Sequence, residues 1–193
     1  MHPVDIEECL KSMVIYADSR EQPTEQYIKR LNSLGVPWER KHLDYGDYTF
    51  GFNLSDKTEP IKGDVVIERK MSLTELSGNL CQEFDRFERE FTRAKENGAS
   101  IYLLVEDATW ENIINHRYKT QFNEKAYLKR LLKIIAKYDI KPIFVEKELS
   151  GRMIREILER ELKMRLERGD YDSRGNQTTE SNAGDHEAVL QKN

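Results

Sequence analysis

Two cysteines in 193 residues, Cys9 and Cys81, are too few and too far apart to staple a fold or close a metal site. They read as reduced thiols of a cytosolic protein, and a chain this long buries enough apolar surface to need no disulfides. No apolar run approaches the roughly 20 residues a membrane helix requires, so no membrane partner is expected. The opening MHPVDIEECLKSM carries acids where a secretory leader would place positive charge and then an apolar core. An excess of positive charge is missing too: 31 Lys and Arg face 35 Asp and Glu, for a formal net charge of -4. A generally cationic nucleic-acid binder is thereby excluded, and any grip on a polyanion must come from a local patch. There is no internal repeat, and no nucleotide cofactor is expected.

Large apolar residues all but stop after Gly169. Residues 170–193 hold five acids and two bases among Gly, Ser, Thr and Asn, and are expected to form a disordered acidic tail. Residues 1–169 then form one nearly neutral domain in which strand-like and helix-like segments alternate. Strands are expected at 13–18, in two extended pieces within 36–52 around a bend at Gly46, and at 64–70, 101–107 and 140–146. The stretch 54–63 reads as a polar loop. Helices are expected over 23–35 with Pro23 in the first turn, from a capping box at Ser72-Leu73-Thr74-Glu75, over 83–98, across most of 110–138, and over 151–169. Phe84, Phe87 and Phe91 should point inward from the run over 83–98. The alternation implies a mixed or mostly parallel sheet covered on both faces, an α/β three-layer domain.

Charged residues closing a buried strand are pushed to the sheet edge, where α/β folds place their active sites. Glu68 and Lys70 end the apolar run Val65-Val66-Ile67, and being two apart they project to one face. Asp47 sits at the extended bend Leu43-Asp44-Tyr45-Gly46-Asp47-Tyr48. If its strand neighbours the other, two carboxylates and an ammonium converge, which is what metal-assisted phosphodiester hydrolysis needs. Carboxylates hold Mg²⁺, the metal polarises the phosphate and activates water, and the lysine orients that water or offsets developing charge. By spacing alone, a salt-bridge cluster at a strand end reads the same way.

The longer string is more specific. Asp18-Ser19-Arg20-Glu21 follows the first strand, then come Leu43-x-x-Gly46-Asp47-Tyr48 and Val66-Ile67-Glu68-Arg69-Lys70. Supporting pieces are Arg86-Phe87-Glu88-Arg89-Glu90 and Tyr102-Leu103-Leu104-Val105-Glu106. This order, over residues 13–148, resembles the nuclease domain of the XPF/Hef family of structure-specific DNA endonucleases, a branch of the PD-(D/E)XK nucleases. It looks closest to compact members of phage or prophage type. The resemblance implies a three-layer α/β/α restriction-endonuclease-like fold with a central mixed sheet. It makes Asp47 and Glu68 the metal carboxylates for Mg²⁺, with Mn²⁺ able to substitute, the Arg69 carbonyl a further metal ligand, and Lys70 the catalytic lysine. Asp18 and Glu21 would line the same pocket as catalytic residues, Glu21 serving a second metal or positioning water, and Arg20 would touch phosphate or hold those carboxylates.

Two departures stand out. The family pattern continues Glu-Arg-Lys-x-x-x-Asp, and Thr74 stands where that Asp belongs. The tandem helix-hairpin-helix module of larger members has no counterpart here. DNA contact is expected from Arg20, Arg69, Arg86 and a basic stripe that includes Lys129 and Lys133, with Lys125 and Lys137, opposite Leu128, Leu131, Leu132 and Ile135. A solvated helix face is the plainer reading of that stripe. Helix 151–169 carries Met153, Ile154, Ile157, Leu158, Leu162 and Leu166 along one side, mostly as core and in part as a seam for a homodimer, since domains of this family often pair. The expected protein is a metal-dependent DNA endonuclease of a bacterial or phage-infected cytoplasm, cutting near branches or flaps. The alternatives are a nuclease on linear or single-stranded DNA in phage recombination, and a catalytically silent DNA-binding or partner-binding domain.

Overall fold

The computed structural model describes residues 1–172. Its elements in chain order are α1 (Pro3–Lys11), β1 (Val14–Asp18), α2 (Glu25–Asn32), β2 (Trp38–Lys41), β3 (Tyr48–Phe52), β4 (Ile61–Lys62), β5 (Val65–Lys70), α3 (Leu73–Cys81), α4 (Phe84–Glu96), β6 (Ser100–Glu106), α5 (Trp110–Ile114), α6 (Glu124–Tyr138), β7 (Lys141–Val145) and α7 (Ser150–Arg168). The strands form one mixed sheet in the order β2-β1-β3-β5-β6-β7, with the two-residue β4 paired to β3. Strand β1 runs parallel to β2 and antiparallel to β3, β3 is antiparallel to β5, and β5, β6 and β7 run parallel.

Strand alternation divides the apolar residues between two faces. Ile15, Ala17, Phe50, Val65, Ile67 and Leu104 pack under α1, α2 and α7. Val66, Ile101, Leu103 and Val105 pack under α3, α4, α5 and α6, where Phe87, Phe91 and Leu131 fill the space between. The domain therefore has the three layers expected, with the helices on both faces of a mixed sheet. Ile154, Leu158, Leu162 and Leu166 of α7 are fully buried in the first layer, so these members of the stripe are core, while Met153 is half-buried. Among the described residues no helix is long and apolar enough to cross a membrane.

Several boundaries differ from expectation for local reasons. Helix α1 forms in a stretch whose charge alone stands out in the sequence; His2 caps it by accepting the Val4 N–H. Thr24, accepting the Tyr27 N–H at 3.2 Å, caps α2, so Pro23 precedes the helix instead of opening it. The run 110–138 breaks into two helices at a turn in which His116 holds φ 53°. The apolar side of α6 passes through Tyr127, Leu131, Ile134 and Tyr138, while Leu132 is exposed. The domain also continues past Gly169: the Tyr171 hydroxyl donates to Asp64 at 2.9 Å, and Asp172 accepts from the amino group of Met1. The rest of the acidic tail, 173–193, lies outside the described residues.

Helix α7 crosses α2 at Gly151, which is buried. A Cβ there would run into the Arg30 carbonyl oxygen and Ser33 Oγ, and backbone cannot swing aside as a side chain can. Gly151→Ala is expected to cost about 1–3 kcal/mol as overpacking, and thermal melts followed by circular dichroism should show it as a drop of roughly 3–10 °C.

Candidate active site

Two registers place the carboxylates. Ala17 of β1 pairs with Tyr48 of β3, and Tyr48 pairs with Ile67 of β5. One residue further along each strand, Asp18, Asp47 and Glu68 fall side by side, on the face opposite Tyr48 and Ile67. Backbone bonds hold the row, from Asp18 N–H to Asp47 C=O and from Asp47 N–H to Ile67 C=O, both 2.8 Å. Gly46 makes the turn into this row. Its φ is 70°, and a Cβ would sit 3.0 Å from Val66 Cβ, so both the conformation and the close approach call for glycine. Lys70 shares the face, its Nζ 2.6 Å from Glu68 Oε1 and 5.1 Å from the Phe87 ring centroid.

The charges on this face are unevenly balanced. Asp18 is paired with Arg20, whose Nε donates to it at 2.6 Å, and Glu68 is paired with Lys70. Among the described residues Asp47 has no cationic partner, and its carboxylate accepts only the Arg69 N–H, at 2.7 Å. Burial first, and then the charge of Glu68, hold the Asp47 carboxyl well above the usual carboxylate range, against the pull of Lys70 and the Arg69 amide. Burial raises Glu68 as well, against Lys70. For Lys70, burial works downward, but Glu68 and Asp47 outweigh it and the ammonium is stabilised. The fold therefore sets negative charge beside Asp47 that disfavours its ionisation. Glu90 of α4 adds to it, lining a small recess with Glu68, Tyr45 and Gly46.

The other expected site residues divide between the two faces. Glu21 does not join the row: its oxygens are taken by Arg30, by the Tyr48 hydroxyl at 3.0 Å and by Arg69 at 3.4 Å, on the α2 side of the sheet. The Arg69 side chain, expected to reach DNA, points the same way. Its Nε donates to Glu106 Oε1 at 3.0 Å and its Nη2 to Oε2 at 2.5 Å, so all three guanidinium nitrogens are spent inside the protein. Arg30 completes a buried network through Tyr48 at 2.8 Å and Glu106 at 3.5 Å. Strand β5 thus uses the Arg69 amide to hold Asp47 on one face and the Arg69 side chain to anchor itself on the other.

Arg86, Lys129 and Lys133 are exposed. Arg86 lies between Glu83 and Glu90 at 3.6 and 4.0 Å, whereas Lys129 and Lys133 have no ion-pair partner among the described residues. Thr74 accepts the Lys119 N–H at 3.1 Å and so ties α3 to the loop before α6, supplying no carboxylate. Glu75 accepts the Met71 N–H at 2.7 Å, closing the capping box one residue before Ser72. Arg30, Tyr48, Glu90 and Glu106 were not anticipated as site residues. Glu106 could have been: it closes an apolar strand, just as Glu68 and Lys70 do. Arg30 also left a trace, a charge set into the apolar stripe of Tyr27, Leu31 and Leu34.

No curated protein matches the chain in sequence. Among solved structures, XPF from Aeropyrum pernix is similar with a TM-score of 0.55 and 22% identity, over 82% of this chain and 69% of that one. A second structure of XPF from Aeropyrum pernix, in complex with DNA, matches with a TM-score of 0.53 and 24% identity, over 79% and 66% of the two chains. These likenesses establish the fold as that of the XPF nuclease. In sequence, residues 17–157 match the ERCC4 domain, a span that takes in the carboxylate row, Lys70 and the network behind them, and the chain belongs to the ERCC4 domain family.

Proposed function

We propose that this ERCC4-type nuclease domain is a metal-dependent DNA endonuclease that hydrolyses phosphodiester bonds at branched or flap structures. The observation that carries the reading is Asp47: a carboxylate kept uncompensated beside Glu68, with Lys70 on the same face. Two carboxylates, with the neighbouring Asp18 already paired to Arg20, suit a hard cation that accepts few protein ligands and keeps its water. Among the described residues no group of three His, Cys, Asp or Glu forms a closed cage. Asp47, Glu68 and the Arg69 carbonyl would hold Mg²⁺, or Mn²⁺ in its place. When bound, the ion supplies charge to the phosphate and acidity to a water.

The chain's own groups carry the remaining steps. The Arg69 amide binds one oxygen of Asp47 and leaves the other without a hydrogen bond among the described residues. Lys70 is held protonated by its acidic neighbours, so its role is to donate hydrogen bonds to the attacking water or to a phosphate oxygen, not to take a proton. Arg20, clamped on Asp18, stops that carboxylate from adding a further bare charge where phosphate must approach. DNA as substrate is supported by the family and by the DNA complex of its structural relative, and branched DNA by the motif order shared with structure-specific endonucleases.

The test is cleavage of labelled flap, fork, four-way-junction, linear duplex and single-stranded DNA with Mg²⁺, Mn²⁺ or EDTA, beside Glu68→Ala. Expected is metal-dependent cutting that favours branched substrates and disappears in Glu68→Ala. Cutting that survives EDTA or Glu68→Ala refutes the mechanism. Equal cutting of every substrate removes the branch preference. Folded protein that binds branched DNA but cuts none is the silent domain, a reading that Thr74, with no carboxylate to offer, specifically favours.

A further inference from the structure

A nuclease site built on acids repels the polyanion it must hold, so cations have to flank it. Beside the carboxylate row, between the loop that enters β3 and the helix α4, lies a cleft of about 480 Å³ lined by Arg20, His42, Asp44, Tyr45, Arg93 and Asn97. Tyr45 also walls the recess that holds Glu68 and Glu90, so the two spaces adjoin. Glu90 and Arg93 of α4 and its C-cap residue Asn97 follow one another at helical spacing along one edge, which carries the wall from the acids outward to the basic residues.

Two of the basic side chains in the cleft are unpaired. Among the described residues the Arg93 guanidinium and the His42 ring have neither an ion pair nor a hydrogen bond, although most other arginines have one, and both residues are exposed. Arg20 spends Nε and Nη2 on Asp18 and on the Leu43 carbonyl, leaving Nη1 without a partner. Asp44 is the one acid in the lining, and its carboxylate lies 4.0 Å from Lys62. A planar fork with its donors unspent is suited to two phosphate oxygens at once.

We propose that this cleft is a phosphate subsite, in which Arg93 and His42 hold the DNA backbone next to the phosphate that is cut, with Arg20 Nη1 as a third donor. The proposal rests on the nuclease reading above and adds Arg93 and His42, which the motifs do not contain. Backbone contacts of this kind position the strand without reading its sequence. They also add to the salt dependence of binding, about one unit of slope in log K against log salt for each phosphate neutralised.

Fluorescence anisotropy of labelled flap DNA in EDTA, over a series of salt concentrations, measures binding apart from cutting. The proteins compared are the full chain, Arg93→Ala, Arg93→Gln and the double variant Arg93→Ala with His42→Ala. The double variant is expected to bind roughly ten-fold more weakly with a salt slope lower by about one, Arg93→Gln to match the alanine variant in slope, and KM in Mg²⁺ to rise more than kcat falls. Because both side chains are exposed and unpartnered, melting temperatures should stay within about 2 °C of wild type, in keeping with surface substitutions. Unaltered affinity and slope in the double variant, while wild type cuts DNA, overturn the subsite and leave the nuclease reading standing. Wild type that neither binds nor cuts any DNA overturns both.

Discussion

Asp47→Asn is expected to reduce cleavage by about 10³-fold or more and, at the same time, to make the metal-free protein more stable. The first effect follows from removing a charge from a two-carboxylate site, where stabilising the charge that develops in the transition state supplies most of the rate enhancement. The second follows from the position of Asp47: partly buried, beside Glu68, with one backbone amide as its only partner among the described residues. Like charges held together are destabilising, and an asparagine oxygen can still accept the Arg69 N–H. A gain of about 1 kcal/mol corresponds to a rise of roughly 2–4 °C in Tm for a domain of this size. Scanning calorimetry with EDTA and with Mg²⁺ separates the contributions. Mg²⁺ should raise the Tm of wild type, because a ligand that binds only the folded state stabilises it. It should leave Asp47→Asn unmoved. A variant that melts lower than wild type in EDTA would mean that Asp47 is a structural acid and not a destabilised functional one.

Glu106→Ala should have the largest effect on folding. Glu106 is buried, accepts two bonds from Arg69 and lies 3.5 Å from Arg30, so its loss leaves the buried Arg30 and the half-buried Arg69 sharing only Glu21 and Tyr48. Breaking a buried pair by removing one partner costs about 3–5 kcal/mol, here roughly 6–20 °C in Tm. Glu106→Gln, which keeps an acceptor, should lose less. The network also reaches the chemistry, since a β5 that is loose at Arg69 no longer presents a fixed amide to Asp47. In Glu106→Gln, metal affinity measured by calorimetric titration should therefore fall several-fold even where the protein is fully folded at the assay temperature. Unchanged metal affinity together with the lost stability would confine Glu106 to holding the fold.

How much of this is legible in the sequence depends on distance along the chain. The end of β5 announces itself through an apolar run closed by Glu68, Arg69 and Lys70, and Asp47 follows from the bend at Gly46 and a neighbouring strand. Once the registers of β1, β3 and β5 are known, the row is a matter of counting residues. The rear network is hidden because its members come from α2, β3, β5 and β6, and no local spacing relates Glu21 and Arg30 to Glu106. For the same reason Arg69 reads in sequence as a hand held out to DNA. Its sequence neighbours say that it is near the site, and only strand alternation says that it faces away. Helix α1 escapes notice because its pattern is short and its only buried residue is Cys9. The helix over 110–138 looks continuous because no proline marks the turn at His116.

The direction of β3 has a practical consequence. Asp47 stands at the start of that strand, which then runs away from the carboxylates, and β5 runs back towards them. The connection between them, residues 53–64, is therefore turned at the opposite end of the sheet, about 17 Å away by the rise of five extended residues. A fluorophore or a surface tether placed on its exposed residues Lys57 to Glu59 would leave the cutting edge unobstructed. The protein can be immobilised or tracked on long DNA from its back while its front is engaged.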